Sequence, residues 1–366
     1  MQGLSSKLPS IRTVAARAGV STATVSNVLN ARRSVAPELA ARVRAAVAEL
    51  GYVADLNASR LRSRRSHVVG LLVPDLGNPF FGTLAAVLEA EARRDGYDLL
   101  IGCSGDDPVQ EAARLRALLT WRPAGLIVVP CDGELGGRDL AEAAGVTLIA
   151  CDRIPSGKPL DLVAVDNRGA ARDVMRHLLA SGRRHILLAA ARARISNIAE
   201  RCAAAAAEAA AAGARLEVLE VGISLAENRA RLAARLAAAP LPDAIFALNN
   251  IAALGALAAL DAAGLAVPDD VALVGFDDTP WMEVAAPPLT AVSQPVAALA
   301  RAAWARLTAR LAGDAAPPQE VRLPCTLEMR GSSLAGRRDF PHRVALLPGA
   351  AAPGAVYSQQ HGETAG

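Results

Sequence analysis

Apolar residues follow two rhythms along this chain. Over the first fifty positions the spacing is helical. Val14-Ala15-Ala16-Arg17-Ala18-Gly19 opens a short helix with Thr13 as its candidate cap. Ser21 caps a second helix over 22–29, with Val25, Val28 and Leu29 on one face. Leu39, Val43, Ala46, Val47 and Leu50 predict a third helix over 37–50, with Pro37 suited to its first turn. Ala15 where two helices touch, Gly19 at the turn and Val25 as an anchor have the spacing of a helix-turn-helix.

From His67 the rhythm changes. Short apolar runs predict nine strands, over 68–73, 98–101, 126–129, 147–150, 162–165, 186–189, 216–221, 244–248 and 271–276. Helical stretches lie between them, over 80–94, 110–120, 169–181, 198–212, 228–239 and 250–263. Strands alternating with helices imply parallel sheets covered on both faces. Nine strands are many for one sheet, so two similar lobes are expected. The expected fold is an N-terminal all-α helix-turn-helix head joined to an α/β two-lobed core with parallel sheets.

Between head and core, residues 53–66 hold four arginines and few large apolar groups. They read as a solvated linker, or as a short helix over 57–62 that orders only on DNA. Charge sharpens that picture. Residues 1–65 carry eleven Lys and Arg against three acids, a net +8, and the other 301 carry 28 against 33, a net −5. A basic head on an acidic body suits a polyanion partner. Lysine occurs only at Lys7 and Lys158, and arginine favours bidentate contacts to phosphate or guanine. Tyr52 is the one aromatic of the head, which argues against stacking on single strands.

The core reads as a binding body rather than an enzyme. No G-x-x-x-x-G-K-[ST], H-E-x-x-H or G-x-S-x-G occurs, and no G-x-G-x-x-G follows the first strand. The five histidines lack metal-ligand spacing, so no catalytic residue, no metal and no cofactor is expected. Five scattered cysteines without a C-x-x-C read as small buried hydrophobes. No long uncharged apolar run and no signal-peptide core occur, so no membrane span and a cytoplasmic location are expected. In open parallel sheets, ligands sit beyond the C-terminal strand ends. That singles out Asp75, Asn78 and Phe80, Cys131 and Asp132, Asp152 and Arg153, Asn249 and Asn250, and Asp277 and Asp278. These polar groups suit a hydroxylated small molecule, with Phe80 and Trp281 to flank it.

Thr13-Val14-Ala15, then Ala18-Gly19-Val20-Ser21-Thr22-Ala23-Thr24-Val25-Ser26-Asn27-Val28-Leu29-Asn30, resembles the head of the LacI/GalR (lactose-repressor) family of bacterial transcriptional regulators. The resemblance runs on through Leu50-Gly51-Tyr52, Asn78-Pro79-Phe80-Phe81, Asp152-Arg153, Gly275-Phe276-Asp277-Asp278 and Pro288-Leu289-Thr290, to about Arg330. It implies a dimeric repressor with a periplasmic-binding-protein-like core, controlled by a small molecule such as a sugar or sugar acid. It also implies that Thr22, Ala23 and Asn27, with Ser21 and Arg32, meet a pseudo-palindromic DNA operator. By the same resemblance, Leu61, supported by Ala58, would wedge into the minor groove, and Asn78, Phe80, Arg201, Asn250 and Asp277 would hold the effector. The chain departs from the family at Tyr52-Val53-Ala54-Asp55, where Tyr-x-Pro-Asn is usual, and at Ala191-Arg192, where Gly-Pro is usual. It also has Asn250 where Asp is common. The expected division is a helix-turn-helix domain over 1–56, a hinge over 57–66, a core over 67–330 and a flexible tail over 331–366. Within the core, an N-lobe would take about 67–162 and 294–328, and a C-lobe about 163–293. The rival readings are a solute-binding protein without a DNA role and a sugar-active enzyme on the same fold.

Pro341, Pro348 and Pro353 interrupt any helix in the tail, and no apolar heptad survives there. Deleting residues 340–366 is therefore expected to leave mass in solution and operator affinity unchanged. Light scattering on the truncated chain checks this, and a tetramer collapsing to a dimer would contradict it.

Overall fold

In the computed structural model the chain divides into two compact units, residues 1–66 and 67–366. Residues 9–30, 34–52, 66–131, 133–238 and 240–334 are described.

The first unit holds three helices: α1 (Ile11–Ala18), α2 (Thr22–Asn30) and α3 (Pro37–Leu50). Val14, Ala15, Ala18, Val25, Val43 and Ala46 form its core. The first helix starts three residues earlier than the apolar spacing suggests. Ser10 caps it and Thr13 closes a reciprocal capping box with Ser10, so the expected cap Thr13 is instead the third helical residue. Gly19 ends α1 at φ 64, in the left-handed region. A Cβ there would also collide with the Arg42 guanidinium, which reaches the Gly19 carbonyl. Ser21 Oγ accepts from Thr24 N at 3.1 Å and starts α2.

The second unit is built on two six-stranded sheets, with twelve strands among the described residues. One contains β1 (Val68–Val73), β2 (Asp98–Cys103), β3 (Gly125–Val128), β4 (Thr147–Cys151), β5 (Asp161–Val165) and β11 (Glu320–Leu323). Its order is β11-β5-β4-β3-β1-β2. The other contains β6 (His185–Ala190), β7 (Arg215–Glu220), β8 (Ala244–Ala247), β9 (Ala272–Phe276), β10 (Thr290–Ser293) and β12 (Thr326–Glu328). Its order, β12-β10-β9-β8-β6-β7, repeats that of the first. All pairings are parallel except β10 with β12. Central strands such as β1 and β9 are buried along their whole length, which is why they read as continuous apolar runs.

Three strands, β10, β11 and β12, escape the sequence pattern. They are short, and Glu320, Arg322, Thr326 and Glu328 sit at sheet edges where one face meets water. One of them, β12, and β5 move the lobe boundaries. β5 pairs in the first sheet with β4 and β11, so the first lobe runs to Val165 rather than to 162. β12 pairs with β10, so 326–328 belong to the second sheet rather than the first. Ser332 and Ser333 are fully buried against the second lobe, so the packed core runs past 330. The tail beyond 334 and the expected helix over 57–62 lie outside the described residues.

Asp161 opens β5 and pins the helix Val296–Leu311 to the first sheet. Its carboxylate accepts from Arg306 Nε at 2.9 Å, Arg310 Nε at 2.6 Å and Gln319 N at 2.9 Å. Burial pushes this carboxyl up, but the two guanidiniums and the amide pull harder and hold it below the usual aspartate value. A carboxylate of lowered pKa stabilises the fold above its unfolded value of 3.8 and loses that contribution as pH falls through the folded value. Asp161→Asn is expected to cost about 2 kcal/mol at neutral pH, because the half-buried Arg306 and Arg310 lose their shared carboxylate and keep Asp314 and backbone carbonyls. Urea unfolding from pH 7 downward measures it, with the gap to the parent closing once pH drops below about 3.8.

Candidate functional site

Each sheet reverses direction beside its first strand: β2 and β3 flank β1, as β7 and β8 flank β6. Such switch points open a crevice beyond the strand ends. In the core these crevices share one cleft of about 260 Å³, lined by residues from both lobes that include Asn78, Phe80, Asp106, Asp152, Arg153, Asn197, Arg201, Asp277 and Gln294.

Arg201 sits at its centre, on the helix Ser196–Ala211, and is 1% exposed. Its Nε donates to Asn167 Oδ1 at 2.9 Å and its Nη1 to the Leu248 carbonyl at 2.6 Å. The guanidinium lies over the Phe276 ring, 3.4 Å from its centroid. Nη2 has no protein partner. Burial drags the Arg201 pKa down, while Asp277 and Asp152 support the charge. Those two aspartates occupy equivalent places, directly after β4 and β9, and both adopt left-handed backbone at φ 66 and 67. Such conformations cost energy in non-glycine residues and are tolerated best by Asn and Asp. Asp152 accepts from Asn197 Nδ2 at 3.0 Å through one oxygen and leaves the other unpaired. Burial pushes its carboxyl up despite the pull of Arg153 and Arg201. Asp277 accepts from Gln294 Nε2 and from Asn250 N, the latter at 3.3 Å.

Several bonds cross the cleft. Asn250 Nδ2 donates to Asn78 Oδ1 at 2.9 Å, the same oxygen that caps the helix Pro79–Arg94 through Phe80 N. An aspartate at 250 could not donate this bond. Ile154 N donates to Ser196 Oγ at 2.8 Å and Arg192 Nη1 to the Asp106 carbonyl at 3.3 Å. On the hinge side, Arg322 of β11 holds Glu200 with both η nitrogens, at 2.9 and 3.0 Å. Glu200 also accepts from Asn167 Nδ2 at 3.0 Å. A chain of bonds thus runs from the crossover strand β11 through Glu200 and Asn167 to Arg201.

Asn78, Phe80, Arg201 and Asp277 meet in the cleft, and Asn250 bonds two of them. Trp281 does not flank it; its ring packs on the second lobe's core. Asp278 is spent on Arg330, at 2.8 and 2.7 Å. Cys131 is buried against Ser104 and Glu111, its thiol pushed up to about 12. Asp106, Asn197 and Gln294 also line the cleft, and the strand-end rule missed them. Asn197 stands four residues before Arg201, one helical turn on the same face, and that spacing is a signal the sequence carries. In the head, Ser21, Thr22 and Ala23 are exposed at the start of α2 and Asn27 is half-buried. Arg32, Ala58, Leu61 and Asp132 lie outside the described residues.

Residues 10–55 match the bacterial regulatory proteins of the lacI family, and residues 175–333 match a periplasmic binding protein-like domain. The HTH-type transcriptional regulator GntR of Pseudomonas aeruginosa is 33% identical over 83% of this chain and 90% of its own length. The chain belongs to the LacI family. It is a DNA-binding transcriptional regulator with a helix-turn-helix head and a two-lobed core. Among solved structures, the lac repressor dimer bound to operator and the anti-inducer ONPF superposes with a TM-score of 0.79 at 26% identity, over 90% of this chain and all of that one. The regulator CelR in complex with cellobiose superposes with a TM-score of 0.66 at 28% identity, over 88% of this chain and 99% of that one. Among the described residues of this LacI-family chain, no helix is long and apolar enough to cross a membrane and no cluster suits a metal ion.

Glu200 is 11% and Arg322 25% exposed in their side chains, so the pair is partly desolvated. Arg322→Ala is expected to destabilise the core by about 1–2 kcal/mol, because Glu200 loses two charge-assisted bonds and keeps only Asn167 Nδ2 and an ion pair with Arg168 at 3.8 Å. Adding Glu200→Gln should recover part of that loss, and urea unfolding of the single and double variants measures the coupling.

Proposed function

We propose that this regulator is a homodimeric cytoplasmic repressor, not an enzyme, whose operator affinity is set by a sugar or sugar acid in the cleft between its lobes. The observation that carries the effector reading is a set of buried polar atoms with unused hydrogen-bonding capacity. Asp152 Oδ1 and Gln294 Oε1 lack a donor, Arg201 Nη2 lacks an acceptor, and all three belong to side chains lining the cleft. Buried polar groups without partners are costly, and a hydroxylated ligand fills them. Asn78, Phe80, Arg201, Asn250 and Asp277 form the contact set. The cellobiose carried by CelR is a sugar held by a relative of the same fold.

On the DNA side, exposed Thr22 and Ala23 with Asn27 read bases in the major groove, and Ser21 and Arg32 meet the backbone. Leu61, beside Ala58, wedges into the minor groove at the operator centre. Two-fold symmetry of the dimer suits a pseudo-palindrome of about 14–20 base pairs. Coupling needs a ligand with different affinities for two arrangements of the lobes. The bonds Asn250–Asn78, Asn197–Asp152 and Ile154–Ser196 exist only while the lobes are close, so a ligand bridging the same gap favours that arrangement.

Arg201→Ala and Asp277→Ala are expected to abolish the effector response while operator binding survives. Fluorescence anisotropy with labelled operator, with and without a sugar panel, tests this. Wild-type affinity should fall steeply with salt through counterion release. Unchanged ligand affinity in both variants would displace the effector from this cleft, and salt-independent binding would remove the DNA reading.

A further inference from the structure

Three crossovers join the lobes, from β5 to the helix Asn167–Ala180, from β10 to the helix Val296–Leu311, and from β11 to β12. The strands they leave and enter take one end of each strand order, β11 and β5 in the first sheet and β12 and β10 in the second. The opposite ends belong to β2 and β7. Rotation of one lobe about the crossovers therefore moves the β2 and β7 ends furthest, and a bond placed there has the longest lever against opening. Such a bond is present. Arg192 stands two residues after β6, the neighbour of β7, and its Nη1 donates at 3.3 Å to the carbonyl of Asp106, three residues after β2.

Both anchor points are fixed within their own lobes. In the first, Ser104 N donates to the Val73 carbonyl at 2.9 Å and Gly105 N to the Pro74 carbonyl at 2.8 Å. Asp106 takes left-handed backbone at φ 56, and Arg153 grips its carboxylate with both η nitrogens. The turn that carries the Asp106 carbonyl is thus tied to the ends of β1 and β4. In the second lobe, Gly222 N donates to the Ala191 carbonyl at 3.1 Å, Ala193 N to Glu220 Oε1 at 2.8 Å and Ile195 N to the Arg192 carbonyl at 3.2 Å. The half-buried Arg192 side chain spans the gap between these two braced turns. Its donor is charged and its acceptor neutral, so the bond is stronger than an amide pair and weaker than an ion pair. That is the range in which a contact holds a joint and still lets it open. The next residues carry the seam inward, since Ser196 Oγ accepts from Ile154 N at 2.8 Å and Asn197 Nδ2 donates to Asp152 Oδ2 at 3.0 Å, both from lobe to lobe.

We propose that Arg192 is a latch that holds the cleft shut before any ligand is present. The cleft is lined from both lobes, so a ligand enters only after the latch has opened. A site that is competent only in its open fraction binds with an affinity reduced by that fraction. Arg192 thereby sets how readily the cleft loads, although it is not one of the residues that line it. This consequence rests on the effector reading above; the latch itself does not, and it is tested without ligand.

Hydrogen exchange of the full-length protein, followed at single amides by NMR, reads the latch. Ile154 N–H reports lobe separation, because its acceptor Ser196 Oγ lies in the other lobe. Ala193 N–H reports the turn itself, because its acceptor Glu220 lies in the same lobe. The variant is Arg192→Met, which keeps an apolar stem of similar length and removes the donors. Loss of one bond from a charged donor is expected to speed Ile154 exchange by about tenfold and to leave Ala193 unchanged. Unchanged exchange at Ile154 overturns the proposal, since the lobes then open as often without the bond. Faster exchange at both amides also overturns it, since Arg192 then braces its own turn rather than the other lobe. A wild-type Ile154 amide that exchanges as fast as one in an unfolded chain overturns it as well, since the cleft then rests open. None of these outcomes depends on whether a sugar binds, so the effector reading stands or falls separately.

Discussion

A single cation withdrawn from water organises the core of this regulator. Arg201 is too deeply buried to be solvated, so its neighbours must supply what water would have supplied. Asn167 and the Leu248 carbonyl take two of its donors, Phe276 offers the face of its ring, and Asp152 and Asp277 supply the opposing charge. These partners come from β9, the residue after β8, the helix Asn167–Ala180 and the turns after β4 and β9, which belong to both lobes. Breaking a buried set of this kind by removing one member costs far more than the set contributes. The arginine therefore ties the lobes' relative position to its own surroundings, and its one unpaired nitrogen, Nη2, lies in the cleft between them.

The doubled architecture explains why the aspartates are where they are. The two sheets repeat one strand order, and the same place after the fourth strand of each carries an aspartate in left-handed backbone. A sharp left-handed turn at the end of a buried strand aims the side chain back over the strand end, into the crevice, at a local energetic cost. The Arg322–Glu200–Asn167 chain then connects this centre to the crossover segments between lobes. The links of that chain are bonds of 3 Å or less rather than loose packing.

Much of this was legible along the chain. Helical spacing of Val14, Val25 and Val43 specified the head, because a three-helix unit has few ways to bury so small a core. Continuous apolar runs such as Val68–Val73 announced strands covered on both faces. The strand-end rule pointed to Asn78 and Asp277, which line the cleft, and to Asn250, which bonds both, since a parallel sheet turns one polar end outward. The edge strands β11 and β12 and the lobe boundaries were not legible. Their residues alternate polar and apolar over three or four positions, too few for a period to stand out.

By itself the sequence determined the two periodicities, the charge division between a basic head and an acidic core, and the helix-turn-helix with its glycine turn. These depend on neighbours within a few residues, where spacing is structure. Only the tertiary structure decided which polar side chains face one another. Asn78 meets Asn250 across 172 residues, and Arg153 meets Asp106 across 47. It also decided that Trp281 is packing, that Asp278 is an ion-pair partner of Arg330, and that Gln294 lines the cleft. Pairings of that kind are set by how the two sheets fold back at the crossovers, a long-range geometry that no local spacing encodes.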